Sequence, residues 1–99
     1  MILDIVTKFV RKEEILLVVS NFGNKISNSS DVDIYCVTTG ESSVQLFYNE
    51  KREWVELFID NIADVYKKID NVDEIAINFI RELKFVSGNR EIYSELISK

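Results

Sequence analysis

Apolar positions at Ile2, Ile5, Val6, Phe9 and Val10 recur at helical spacing, which predicts an amphipathic helix over residues 2–12. The next block, "ILLVVSNF" (15–22), opens on an unbroken apolar run. Such a run suits a strand covered on both faces, in the middle of a sheet. A polar stretch, "GNKISNSS" (23–30), separates it from "DVDIYCVT" (31–38), which reads as a second buried strand. "TGESS" is a turn, and "SVQLFY" and "EWVELFI" are two further strands joined by "NEKR" as a tight hairpin.

The second half of the chain changes period. Ile62, Val65, Tyr66 and Ile69 keep helical spacing, with Asp60 placed to cap the helix they predict. Val72, Ile75, Phe79, Ile80 and Leu83 form a second stripe, with Asn71 and Glu74 spaced as a capping box. "KFVSGN" is a short extended piece with a turn, and Ile92, Tyr93, Leu96 and Ile97 mark a last helix. The order is helix, strand, loop, three strands, two helices, short strand, helix. No proline, repeat or low-complexity linker interrupts it. This order predicts one α+β domain over residues 1–99, an α/β mixed sheet flanked by helices.

Composition narrows the chemistry. The 99 residues are 46% hydrophobic and 29% charged, as in ordinary globular domains. The net charge of −5 disfavours a surface for a nucleic-acid backbone, so direct nucleic-acid binding is not expected. The longest apolar run, "ILLVV", is too short to cross a membrane, and with charges spread through "MILDIVTKFVRKEE" no signal peptide is expected. The expected location is the cytoplasm. With no histidine and one cysteine, disulfide scaffolds, Cys/His zinc sites and Ser-His or Cys-His nucleophile pairs are excluded within the chain. Cys36 lies inside an apolar run and reads as a small core hydrophobe.

What remains is carboxylate chemistry. In a strand, Asp31 and Asp33 point to one face while Val32, Ile34 and Cys36 point to the other. Two carboxylates so close repel, and a divalent cation removes that repulsion. Glu56, alone between Val55 and Leu57 in an apolar strand, is the candidate third acid if its strand lies beside residues 31–38. Asp60 shares its face, but helix capping accounts for it. A glycine at the end of the first strand, Gly23, lets the backbone approach a phosphate group, and Asn24, Ser30 and Lys25 offer donors or charge. The bland alternatives are a wet strand end for the aspartates, an edge-strand surface for Glu56, and sheet or interface cover for Trp54 and Phe58.

Strand, "FGN", polar loop and "SSDVDIYCV" together resemble the signature of the nucleotidyltransferase superfamily with the DNA polymerase beta-like fold. That signature is a glycine-serine pair after one strand, Ser-Asp-x-Asp at the start of the next, and a third acid on a later strand. Gly23, Ser30, Asp31, Asp33 and Glu56 match it in order. "REWVELFIDNIADVYKKI" and "FIRELKFVSGNREIYSEL" are similar to the later segments of its minimal members. The resemblance implies a nucleotidyltransferase-like fold. It also implies magnesium- or manganese-dependent transfer of a nucleoside monophosphate from a nucleoside triphosphate to an acceptor hydroxyl. Asp31, Asp33 and Glu56 would be the catalytic metal ligands, and Gly23, Asn24 and Ser30 would bind the nucleotide. It implies a separate helical protein partner as well, as in toxin-antitoxin pairs, and a homo-oligomer is the other arrangement considered. Two departures stand out: Asn24 occupies the family's serine position, and the connection from Gly23 to Asp31 is short. They motivate the alternative of a binding or regulatory module that has lost catalysis.

Overall fold

The computed structural model describes residues 2–21 and 31–98, apart from the Ile75 side chain. Helix α1 (Ile2–Val6) leads through turns and a single 3₁₀ turn (Lys12–Glu14) into strand β1 (Ile15–Ser20). Then come β2 (Val32–Thr38), β3 (Ser43–Tyr48), β4 (Trp54–Asn61), α2 (Ile62–Asp70), α3 (Glu74–Glu82), β5 (Lys84–Gly88) and α4 (Arg90–Ser98). The five strands form one mixed sheet in the order β3-β4-β2-β1-β5. Only β2 and β4 run parallel, and the other three pairings are antiparallel. This is the mixed sheet flanked by helices that the sequence predicts.

Strand alternation sorts the core into two faces. Val18, Val32, Ile34, Cys36, Val55, Leu57 and Ile59 pack under Ile2, Val6 and Val10. On the opposite face Leu17, Val19, Tyr35 and Val37 meet Val65, Ile80, Leu83 and Leu96 from α2, α3 and α4. The unbroken apolar runs of β1 and β2 therefore mark strands with neighbours on both sides and helices on both faces.

Four local expectations are corrected. The first helix ends at Val6, not near residue 12, because Lys8 N–H bonds Ile5 O and Phe9 N–H bonds Val6 O, tightening the chain into turns. Its buried spacing still holds at Ile2, Val6 and Val10. Asn61 caps α2, its side chain accepting from Ala63 N at 2.9 Å, so Asp60 does not. Asn71 is the last-turn cap of α2, and Asp73 Oδ1 accepts from Ala76 N at the start of α3. Val72 stands 69% exposed with φ +56°, outside the apolar stripe. Asn89 caps α4, accepting from Glu91 N at 2.9 Å and Ile92 N at 3.0 Å.

Candidate carboxylate site

The parallel register places Asp33 of β2 beside Glu56 of β4. Alternation sets Asp33 on the face of Tyr35 and Val37, and Glu56 on the face of Phe58 and Asp60. That is the face covered by α2, α3 and α4. The ring of Phe79 from α3 packs on Tyr35 at 5.4 Å and on Phe58 at 4.8 Å between centroids. An aromatic floor therefore adjoins the carboxylates on one side. Both are half-buried, while Asp31, which precedes β2, is exposed.

This setting perturbs Asp33. Burial first, then a hydrogen bond with Glu56, then the charges of Glu56 and Asp31, push its carboxyl from 3.8 up to about 6. Among the described residues, the groups whose charge acts on it, Glu56 and Asp31, are anionic. Two carboxyls in hydrogen-bonding contact need a shared proton or a cation between them. The donor set is oxygen-rich, the chemistry that hard divalent cations prefer. Among the described residues, however, no three Asp, Glu or Cys side chains form a preassembled metal site. Asp31 does not close such a set in this conformation.

The phosphate-cradle candidates Gly23, Asn24 and Ser30, with Lys25, lie outside the described residues. Beside the carboxylates is a residue that the sequence reading passed over. Asn21, the first residue after β1, accepts from Asp33 N at 2.8 Å through Oδ1 and donates to Asp33 Oδ2 at 3.4 Å through Nδ2. Its own N–H donates to Asp33 O at 3.2 Å, and Ser20 Oγ donates to the same oxygen at 2.8 Å. The available signal is an amide at a strand end. It becomes informative only once β1 and β2 are known to pair antiparallel.

The edge strand β3 adds an apolar border. Leu46 stands opposite Glu56, and Val44, Leu46 and Tyr48 are exposed. Trp54 packs edge-on against Tyr48 at 4.9 Å between centroids. A groove of about 400 Å³ lined by Asp4, Ile5, Lys8, Phe47, Tyr48 and Glu53, among others, contains none of the candidate acids. Asp60 is held apart from the site: it accepts from Tyr35 Oη at 2.6 Å and Lys68 Nζ at 2.8 Å.

No family model matches the sequence, and no curated protein matches it. The arrangement of strands and helices is a nucleotidyltransferase-like fold. It is similar to the 1.90 Å crystal structure of a nucleotidyltransferase-like protein from Exiguobacterium sibiricum 255-15, with a TM-score of 0.73 at 14% identity. The match covers 96% of this chain and 35% of that one, so the chain spans about a third of its neighbour's length. Among the described residues no helix is long and apolar enough to cross a membrane.

Proposed function

We propose that the protein is a minimal nucleotidyltransferase that moves a nucleoside monophosphate from a nucleoside triphosphate to an acceptor hydroxyl, with magnesium or manganese. One observation carries the reading: Asp33 and Glu56 stand beside each other on adjacent parallel strands of a nucleotidyltransferase-like fold, with the Asp33 carboxyl pushed up by burial and by Glu56 and Asp31. Asp33 and Glu56 are the groups that would hold the cation, joined by Asp31. A bound cation would neutralise the pair and polarise the triphosphate. Glu56 would accept the proton of the acceptor hydroxyl at a carboxylate oxygen. Gly23, Asn24 and Ser30 would hold the phosphates.

The remaining surface would come from outside residues 1–99. The exposed row Val44, Leu46 and Tyr48 supports a helical partner protein, such as a toxin paired with this chain in the cytoplasm. Light scattering of the purified protein would reveal a homo-oligomer in its place.

Calorimetric titration of ATP and GTP, with and without Mg²⁺ or Mn²⁺, tests the reading. Cation-dependent binding that disappears in Asp33→Asn and Glu56→Gln is the expected result. Absence of such binding in the wild-type protein, alone and with any co-purifying partner, would overturn it.

A further inference from the structure

We infer that Asn21 is a positioning residue that fixes the orientation of the Asp33 carboxylate; its importance for cation binding rests on the reading proposed above. The regular pairing of β1 with β2 ends at Ser20 and Ile34. At the next level the backbone gives one bond only, Asn21 N–H to Asp33 O at 3.2 Å. The partner bond is made by a side chain, because Asp33 N donates to Asn21 Oδ1 at 2.8 Å. An amide thus supplies the last rung of the ladder, and the chain is released from β1 without loosening Asp33.

That rung sets the amide's direction without ambiguity. A backbone N–H can only donate, so the oxygen end of Asn21 must face it. The Nδ2 end is then turned to Asp33 Oδ2, 3.4 Å away. The bond is long, but its donor lies on the β1 side of β2, while Glu56 lies on the β4 side. Asp33 is therefore held between an amide donor on one side and a carboxyl on the other. Ser20 Oγ, bonded to Asp33 O at 2.8 Å, braces the same residue from its backbone. An Asp side chain has a free torsion about Cα–Cβ, and groups that orient ligating carboxylates typically matter about 10–100-fold for metal affinity.

Two variants separate positioning from simple strand ending. Asn21→Ala removes both side-chain bonds. Asn21→Asp keeps an oxygen for Asp33 N–H but replaces the donor with a repelling oxygen. The first readout is the Asp33 Cα–Cβ torsion, taken from NMR three-bond couplings in the absence of metal. The second is protection of the Asp33 amide from hydrogen exchange, and the third is Mn²⁺ affinity.

The expected result is one Asp33 rotamer in the wild type and rotamer averaging in both variants. Amide protection should be lost in Asn21→Ala and kept in Asn21→Asp, and Mn²⁺ binding should weaken at least about 10-fold in both. An unchanged Asp33 rotamer in Asn21→Ala overturns the inference, whatever happens to stability. Wild-type protein that binds no Mn²⁺ but shows the rotamer change refutes the proposed function and upholds the positioning role.

Discussion

Asp33 and Glu56 stand side by side on parallel strands, and burial, together with their hydrogen bond and like charge, pushes the Asp33 carboxyl up to about 6. The sign of the resulting pH dependence follows. The fold favours protonated Asp33, whose unfolded value is near 3.8. The stability it contributes is full below about 3.8 and is lost as pH rises through about 6. Urea denaturation of the wild type between pH 4 and pH 7 should show this loss superimposed on the other titrations. Asp33→Asn, measured in parallel, should have a flatter profile over that window.

At pH 7 the same substitution relieves like-charge repulsion across the strand pair. Asp33→Asn is expected to stabilise the metal-free protein by about 0.5 kcal/mol, the usual scale for facing charges in a sheet. In a domain of this size that corresponds to a melting temperature higher by roughly 2–4 °C. A calorimetric melt showing destabilisation would mean that the favourable contacts of the carboxylate, such as the Asn21 amide, outweigh the burial and like charge that push its pKa up.

The chain Tyr35–Asp60–Lys68, buried at its tyrosine and aspartate and half-exposed at its lysine, should behave as a unit of stability. Tyr35→Phe removes one bond to a charged acceptor that keeps its lysine, at a cost of about 2 kcal/mol. Asp60→Ala is expected to cost more, because it strands the Tyr35 hydroxyl, whose residue is 1% exposed. The double variant should lose less than the sum, since each change removes the same bond. Additive losses in denaturant titrations would contradict the coupling.

Gly88 closes β5 against β1 with φ +119°, a conformation that L side chains rarely adopt. A Cβ there would collide with Leu16 O and lie 2.7 Å from Leu17 Cα. Both neighbours are backbone, so the strands must part. Gly88→Ala should cost more than about 2 kcal/mol and accelerate hydrogen exchange along β5 first.

Cys36 should be inert in the folded protein. It is fully buried in the core under α1, and burial pushes its thiol up to about 12. A disulfide reagent at pH 8 should find no accessible thiol until denaturant is added.

Much of the fold is written in local pattern. The continuous apolar runs mark β1 and β2 as interior strands, and the helical stripes mark α2, α3 and α4. Helix ends are less legible, because Asp60, Asn61, Asn71 and Asp73 are all competent caps and only packing chooses among them. Asp60 is drawn inward by Tyr35 and Lys68, which leaves Asn61 to the helix. The candidate acids were recognisable by type and order, but their meeting was not. The register that sets Asp33 beside Glu56 depends on a parallel pairing across the whole of β3, and alternation alone does not specify it. Asn21 was illegible for a similar reason: its role exists only relative to a residue on the neighbouring strand.

The sheet order carries a consequence for synthesis. Strand β1 pairs with β2, made soon after it, but its other edge is closed by β5, whose residues Lys84–Gly88 emerge from the ribosome much later. Through that interval the run Ile15–Val19 presents an open, strongly apolar edge, the kind of template on which nascent chains associate wrongly. The short last strand thus acts as a lid on the earliest one, and chains stalled before it would be the aggregation-prone species.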